Sequence, residues 1–177
     1  RMIEIRTATE EDFAFLPDIG SDAGTLFADF GVPEIAASSP SPADYYRKLP
    51  KESLILVATE NARIVGFAVG SVVDDQAYLR EVSVRRIHAK QGIGKRLVAG
   101  IIGWAVAQDF QTMTLTTFRD LPFNAPFYAK FGFQEFVPDT ACPELRAIRE
   151  KEKRNGLEVK PRVAMRFNLT DKKIVTL

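Results

Sequence analysis

The sequence predicts an α/β (α+β) protein with about seven strands and several helices. Seven short segments alternate apolar and polar residues or are rich in β-branched residues, as strands are. Segments with apolar residues at helical spacing lie between them, and the clearest carries Leu97, Ile101 and Ala105. A length of 177 residues suffices for one hydrophobic core, so we expect a single domain over residues 1–177.

The N-terminal part of the chain predicts a strand followed by helical segments. Residues 2–6 alternate as a first strand, and Thr7-Ala8-Thr9-Glu10 fits the capping box of the helix that follows. Residues 31–42 contain three prolines and three serines, which favours a loop. Ser41-Pro42 then predicts a helix start, with the serine as N-cap and the proline in the first turn.

The next segment predicts three consecutive strands at residues 53–60, 63–73 and 76–84, which short turns join into a meander. Gly66 and Gly70 lie inside the second of these strands. Glycine in a strand interior indicates a bulge or the close approach of another group, and we expect one of these at each position.

A helix from Gly94 to about Gln108 follows the meander. Gly100 and Gly103 weaken this helix by roughly 1 kcal/mol each relative to alanine, which suggests that both pack tightly against the sheet. The rest of the chain predicts strands at residues 112–118, 133–137 and 163–169, and a charged helix at residues 143–155. It also predicts a short helix through Lys130, which the side chain of Asn124 can cap.

Composition excludes several classes of protein. A net charge of +1 argues against a general nucleic-acid or membrane-surface protein. Cys142 is the one cysteine and His88 the one histidine, so a disulfide, a cysteine or histidine metal site and a Ser-His-Asp triad with a spare histidine are not expected. No apolar run reaches the ~18 residues of a membrane helix and no signal peptide is evident, so a cytoplasmic location is expected.

Two glycines, Gly92 and Gly94, lie where the third strand of the meander gives way to the long helix. The first amides of a helix have no internal partners and lie at the positive end of its dipole, so this turn predicts an anion site suited to phosphate. A P-loop is excluded because Gly94-Lys95 precedes Arg96 rather than a hydroxyl residue. A dinucleotide fingerprint is excluded because Leu97 occupies the place of its third glycine.

The pattern that remains, a strand ending in valine and then x-x-x-Gly-x-Gly-x-x-Leu, resembles the signature of the GNAT superfamily of N-acetyltransferases. A second segment, Asn-Ala-Pro-Phe-Tyr-Ala-Lys-Phe-Gly-Phe at residues 124–133, resembles the family's Tyr-x-x-x-Gly-Phe motif. The resemblance implies the GNAT acyl-CoA N-acyltransferase fold, a mixed, mainly antiparallel central sheet of about seven strands flanked by helices. Here an extra helix lies between the last two strands.

The resemblance also implies which residues bind the cofactor, acetyl-CoA. Main-chain amides of the glycine turn would hold its pyrophosphate, and the strand before the turn would pair with its pantetheine arm. Ala89 departs from the family, which usually has Arg or Gln at this position. The implied cofactor-binding residues are Val82, Ser83, Val84, Ala89, Lys90, Gln91, Gly92, Ile93, Gly94, Lys95, Asn124, Phe127 and Tyr128.

Two residues are candidate catalysts by the same resemblance. Glu81 would accept the proton of the amine, although an exposed strand glutamate would look the same in the sequence. Tyr128 would supply a hydrogen bond or a proton to the departing sulfur, and the alternative is a packed helix aromatic. Tyr78 and Ser83 are candidates to line the acceptor channel. His88 fits a solvated turn residue better than a catalyst.

The expected function is therefore an acetyl-CoA-dependent N-acetyltransferase that acts by direct attack of a primary amine in a ternary complex. The alternative is a catalytically weak GNAT-fold module that binds CoA as a sensor or interaction partner. Transfer of a longer acyl group is a third reading. The expected partners are a small-molecule or protein amine and a second copy in a homodimer, with no metal, nucleic acid or membrane. The sequence does not identify the acceptor.

Overall fold

A computed structural model describes residues 2–171. The strands of these residues are β1 (Ile3–Thr7), β2 (Leu54–Glu60), β3 (Arg63–Val73), β4 (Gln76–Val84), β5 (Thr112–Phe118), β6 (Gln134–Phe136) and β7 (Arg162–Asn168). The helices are α1 (Leu16–Gly24), α2 (Leu26–Asp29), α3 (Pro33–Ala36), α4 (Ala43–Arg47), α5 (Ile93–Ala107), α6 (Ala125–Ala129) and α7 (Pro143–Arg154), with 3₁₀ turns at Glu10–Phe15 and Arg86–His88.

The strands form one mixed sheet in the order β1-β2-β3-β4-β5-β7-β6. The pairs β1–β2, β2–β3, β5–β7 and β7–β6 are antiparallel, whereas β4 and β5 are parallel and pair at Ala77–Met113 and Tyr78–Thr114. The expected mainly antiparallel sheet of seven strands is confirmed, and so is the extra helix, α7, between the last two strands. Among the described residues, no helix combines the length and the apolar character that crossing a membrane requires.

The chain divides into two compact units. The first consists of Arg1–Ser71 and Leu79–Trp104, and the second of Val72–Tyr78 and Ala105–Leu177. β3, β4 and α5 each contribute residues to both units. A single domain over residues 1–177 stays a prediction.

The first unit has an apolar core between its N-terminal helices and the strands β2 and β3. Leu16 and Ile19 of α1 are fully buried, and they cluster with Tyr46 of α4, Val57 of β2 and Phe67 of β3. Burial of these side chains fixes the short helices α1 and α4 on the sheet, because helices of this length are not stable alone.

The two glycines of β3 behave as predicted. The register of β2 and β3 shifts opposite Gly66, which marks a bulge. A Cβ at Gly66 would lie 3.0 Å from the carbonyl oxygen of Ser83, and a Cβ at Gly70 would lie 2.8 Å from the ring of Trp104. Both positions therefore bring a neighbouring group close to the main chain of β3.

The long helix α5 begins one residue earlier than predicted and buries an apolar stripe. Leu97, Ile101 and Ala105 are fully buried. Gly100 packs tightly as expected, since a Cβ there would meet Leu56 Cδ1 at 2.6 Å. The same prediction for Gly103 is wrong, because this residue is exposed and a Cβ there would meet no atom within 4 Å.

Three local predictions near the N-terminus need correction. The capping box is formed by Thr9 and Asp12, not by Thr7 and Glu10, and in it the Thr9 amide donates to Asp12 Oδ2 at 2.7 Å. The predicted loop contains α3, and the N-cap of α4 is Pro42 rather than Ser41. The helical turn begins at Glu10 with Thr9 as its N-cap, so the N3 position of the box falls at Asp12, which also accepts from Arg6.

In the second unit, the start of α7 is hydrogen-bonded to the turn between β3 and β4. Asp74 accepts hydrogen bonds from the Glu144 amide at 2.8 Å and the Leu145 amide at 2.9 Å, which satisfies two amides at the start of α7. Leu145 is buried beside Val73 and Tyr78. The extra helix is therefore packed into the core of this unit.

Candidate functional site

The turn between β4 and α5 has the backbone conformation of an anion-binding loop. Lys90 and Gly92 both have left-handed backbone angles, with φ of +62° and +77°. The helix closes its first turn with a hydrogen bond of 3.1 Å from the Arg96 amide to the Gly92 carbonyl. A Cβ at Gly92 would meet no atom within 4 Å, so lack of space does not require a glycine there. The positive φ angle does, because it favours glycine over residues with a side chain.

Consecutive amides of this turn lack a protein acceptor. The backbone N–H groups of residues 90–95 donate no hydrogen bond to any described residue. Lys90 and Lys95 are exposed and form no ion pair within the described part of the chain. The turn thus combines free donors, the positive end of the α5 dipole and two exposed cations, which together suit a phosphate or pyrophosphate.

The segment before the turn is fastened to the rest of the first unit. The Arg85 amide donates to the Val65 carbonyl at 2.8 Å, and the Arg86 amide donates to Asp22 at 2.8 Å. The Arg86 side chain pairs with Asp29. Because its charge is engaged there, Arg86 does not add to the free positive charge of the turn.

His88 is not the solvated turn residue that the sequence suggested. Its side chain is 16% exposed, and Nε2 lies 3.1 Å from Glu60 Oε2. The other ring nitrogen, Nδ1, is buried without a partner among the described residues. His88 is therefore a contact between the turn and the end of β2.

Glu81 lies on β4 and its carboxylate is held by two hydroxyl groups. The Tyr46 hydroxyl donates to Oε1 at 2.9 Å, and the Ser83 hydroxyl donates to Oε2 at 3.2 Å. Burial raises the pKa of the Glu81 carboxyl, and the two hydrogen bonds oppose this shift. Glu81 is thus a half-buried carboxyl with a raised pKa rather than an exposed strand residue.

Sequence reasoning missed Tyr46 as a residue of the site. Tyr46 is buried at 3% exposure, and burial together with the Glu81 charge raises the pKa of its phenol. Its partner is 35 residues away on another element. No local pattern in the chain reports such a contact.

The other β4 residues alternate between the two faces of the sheet. Ser83 shares the face of Glu81, whereas Val82 and Val84 point to the opposite face. Tyr78 is 5% exposed and its hydroxyl lies 3.4 Å from Thr116 Oγ1, so it is a packed residue rather than an open channel lining.

In the second unit, α6 brings Asn124, Phe127 and Tyr128 together. The predicted cap by the Asn124 side chain is absent: Asn124 occupies the N-cap position without a side-chain cap bond. Its Oδ1 is buried and has no partner among the described residues. A buried, unpaired amide oxygen is costly, which favours the alternative that Asn124 binds a ligand.

Tyr128 is half-buried among aromatic rings. Phe127 and Phe133 meet its ring edge-on, at centroid distances of 5.2 and 6.0 Å. Within the described residues its hydroxyl makes no hydrogen bond. Burial raises the pKa of the phenol, so Tyr128 stays protonated at neutral pH and is available as a donor.

Cys142 lies at the N-cap of α7 and is half-buried. Burial and the nearby Asp74 and Asp139 raise the pKa of its thiol, which lowers its nucleophilicity. The described residues contain no group of three or more His, Cys, Asp or Glu side chains placed to hold a metal ion.

Solved structures of other proteins share this fold. The ribosomal-protein-S18-alanine N-acetyltransferase from Escherichia coli matches with a TM-score of 0.70 at 18% identity, over 96% of both chains. The PaiA N-acetyltransferase from Thermoplasma acidophilum, in complex with coenzyme A, matches with a TM-score of 0.66 at 16% identity, over 95% of this chain and 99% of that one.

A third match is the N-acetylglutamate synthase from Neisseria gonorrhoeae, complexed with coenzyme A and N-acetyl-glutamate. Its TM-score is 0.69 at 19% identity, over 97% of this chain and 36% of that one. Identities this low show the fold alone. The sequence itself matches the family model described as the acetyltransferase (GNAT) family over residues 25–133, more than half of the chain. The chain therefore belongs to the GNAT family of acetyltransferases.

Proposed function

We propose that this protein is an acetyl-CoA-dependent N-acetyltransferase, which moves an acetyl group to a primary amine by direct attack in a ternary complex. The observation that carries the proposal is the run of unpaired amides at residues 90–95, in a chain that belongs to the GNAT family. Of the three structural neighbours described above, two are named N-acetyltransferases and two are solved with coenzyme A, which supports both the transfer to nitrogen and the use of this cofactor.

The residues present fit coenzyme A. The amides of residues 90–95 and the side chains of Lys90 and Lys95 would hold its pyrophosphate. Asn124 Oδ1 is a buried acceptor suited to an N–H donor of the pantetheine arm. When bound, the cofactor supplies an acetyl group activated as a thioester.

Two side chains handle the protons in this proposal. Glu81 accepts the proton of the acceptor amine, and its raised pKa brings the carboxyl closer to neutrality, where a general base works best. Tyr128 holds a proton at Oη for the leaving sulfur. Because its pKa is raised, a hydrogen bond to sulfur is favoured over complete proton transfer.

A CoA-binding module without turnover is the second candidate, and Ala89 is the observation that favours it. Ala89 is exposed just before the turn and offers no side-chain donor, where the family usually has Arg or Gln. Such a module would still bind the pyrophosphate through the amides of residues 90–95, but its turnover would be low because the cofactor is held less tightly.

A broad amine screen separates the two candidates. Acetyl-CoA is mixed with polyamines, amino acids, aminoglycosides and short peptides, and the release of free thiol is measured beside CoA binding by calorimetry. An N-acetyltransferase releases thiol well above background with at least one amine, and mass spectrometry finds the acetyl group on nitrogen. Binding of CoA with no thiol release from any amine would instead support the module.

The cradle itself has a matched test within the chain. Gly92 and Gly156 have similar backbone angles, with φ of +77° and +75°, and a Cβ at either meets no atom within 4 Å. Alanine at either position therefore introduces a similar backbone strain. We expect Gly92→Ala to weaken CoA binding at least tenfold and Gly156→Ala to leave it unchanged. Equal effects from the two variants would remove the turn as the pyrophosphate site.

A further inference from the structure

The carboxylate of Glu81 has one oxygen that is firmly held and one that is weakly held. Oε1 accepts the 2.9 Å hydrogen bond of Tyr46, whose ring is fixed edge-on against Phe67 at 5.6 Å and Tyr45 at 5.1 Å. Oε2 accepts the longer bond of 3.2 Å from Ser83, its neighbour on β4. The carboxylate is therefore oriented mainly from the side of α4.

The second oxygen faces α1 at a residue without a side chain. A Cβ added to Gly20 would lie 3.5 Å from Glu81 Oε2, in van der Waals contact with it. Glycine weakens a helix interior, and the backbone angle of Gly20 is not one that needs glycine. Glycine here thus leaves the place of a Cβ beside Oε2 unfilled.

We propose that Tyr46 is a positioning residue that orients the Glu81 carboxylate, and that Gly20 keeps the Oε2 edge of this carboxylate open to the acceptor amine. This inference rests on the proposed function, in which Glu81 is the base. It adds α1 and α4 to the acceptor site and assigns specificity to position 20.

A tyrosine hydroxyl buried at 3% exposure needs a partner in any fold, so the contact alone does not establish a role in the reaction. A positioning role and a purely structural role differ in whether Tyr46 affects the ionisation of Glu81. Of the groups that face the carboxylate, Tyr46 from α4 is titratable, whereas Gly20 from α1 has no side chain and Ser83 from β4 carries an uncharged hydroxyl. The Tyr46 hydrogen bond lowers the pKa of Glu81, against the larger opposite effect of burial.

The test is the pH profile of kcat for Tyr46→Phe, with saturating acceptor. Loss of the hydroxyl removes a bond that favours the ionised carboxylate, so the acidic limb moves to higher pH, by about one unit for a bond to a charged group. We expect kcat at pH 7 to fall about tenfold while CoA binding stays the same. Tyr45→Phe is the matched control, since its ring adjoins Tyr46 and the hydrogen bonds described for Glu81 come from Tyr46 and Ser83 instead.

An acidic limb that stays in place in Tyr46→Phe, or that moves equally in Tyr45→Phe, would overturn the positioning role. Ser83→Ala gives a second measurement, in which the limb moves in the same direction by a smaller amount because the bond is longer. Glu81→Gln tells a failure of this inference from a failure of the proposed function. If Glu81→Gln keeps full turnover, Glu81 is not the base, whatever Tyr46 does.

The open edge is tested with two alanines in one helix. Gly20→Ala places a methyl group beside Oε2, whereas Gly24→Ala at the end of α1 meets no atom within 4 Å. We expect Gly20→Ala to raise the acceptor KM about fivefold, with CoA binding unchanged. An acceptor KM that is the same in both variants would remove Gly20 from the acceptor site.

Discussion

Glu81 and Tyr128, the two candidate catalysts, differ in how the protein treats their polar atoms. Burial raises the pKa of both. The Glu81 carboxylate receives hydrogen bonds from Tyr46 and Ser83, whereas the Tyr128 hydroxyl receives and donates none within the described residues. The chain thus orients the carboxylate by hydrogen bonds, and it orients the phenol only by packing its ring against Phe127 and Phe133.

This difference teaches how the two roles can be separated by experiment. A group held by protein partners contributes to stability as well as activity, so its removal changes both. A polar group without partners contributes little to stability, so its removal is expected to change only activity or binding. The same contrast applies to the residues proposed to bind the cofactor.

The largest expected effect is that of Glu81→Gln. Loss of a general base lowers kcat by about 10³-fold, within the usual range for acid–base groups. Because the folded state binds the Glu81 proton more tightly than the unfolded state, wild-type stability falls as pH rises from the ordinary carboxyl pKa to the raised one. The variant does not titrate at this position, so the difference between its melting temperature and that of wild type (variant minus wild type) rises with pH over this interval.

Glu135→Gln, an exposed change on β6, is the control for both measurements and should alter neither. If the melting temperature of Glu81→Gln instead fell relative to that of wild type as pH rises, this would contradict a Glu81 carboxyl whose pKa is raised by burial.

Tyr128→Phe comes next, with a loss of about 10²-fold in turnover and little change in CoA affinity. Its melting temperature should equal or exceed that of wild type, since the change removes a half-buried hydroxyl that has no described partner. Steady-state kinetics, CoA calorimetry and thermal melting together check this. Unchanged turnover would end the assignment of Tyr128, and a large drop in melting temperature would show a hidden structural partner.

Asn124→Ala extends the contrast to the cofactor. Loss of one hydrogen bond to coenzyme A weakens binding by about 2- to 12-fold. Stability should not fall, because the side chain does not cap α6 and its Oδ1 is unpaired. Asn155→Ala, at the exposed C-cap of α7, is the matched control for CoA affinity. A melting temperature well below wild type, with unchanged CoA affinity, would return Asn124 to a purely structural role.

The smallest expected effect is a gain. Ala89→Arg restores the side-chain donor that the family usually has, and a charge-assisted contact at an exposed position should tighten CoA binding about threefold to tenfold. Ala107→Arg adds the same charge at the exposed end of α5 and should change nothing. The gain should shrink as salt is raised. Equal affinities for the two variants would mean that the side chain at position 89 does not reach the phosphates.

Most of the fold could be predicted because its signals are local. The bounds of β3, β4 and β5 agree with their alternation, and α5 agrees with its apolar stripe to within one residue. Gly70 and Gly100 correctly indicated close packing, because glycine lowers the stability of a strand or helix interior and its presence there suggests a compensating contact. Gly103 carried the same signal and is exposed, so the cost of a glycine alone does not say what lies opposite.

The contacts of the candidate site could not be predicted in the same way. Tyr46 meets Glu81 across 35 residues, and His88 meets Glu60 across 28. Asn124 had the position and residue type of a helix cap, yet its side chain does not cap. In each case the outcome depends on which groups the packing brings within about 3 Å, and periodicity carries no such information.

By itself, the sequence determined the order of strands and helices and the glycine turn before α5, because hydrophobic periodicity and the backbone angle at Gly92 are properties of neighbouring residues. The tertiary structure decided which polar atoms have partners. It gave the Glu81 carboxylate two donors, and it left the amides of residues 90–95 and the oxygen of Asn124 without acceptors or donors among the described residues. Hydrogen bonds act over about 3 Å, so only the folded chain can assign them.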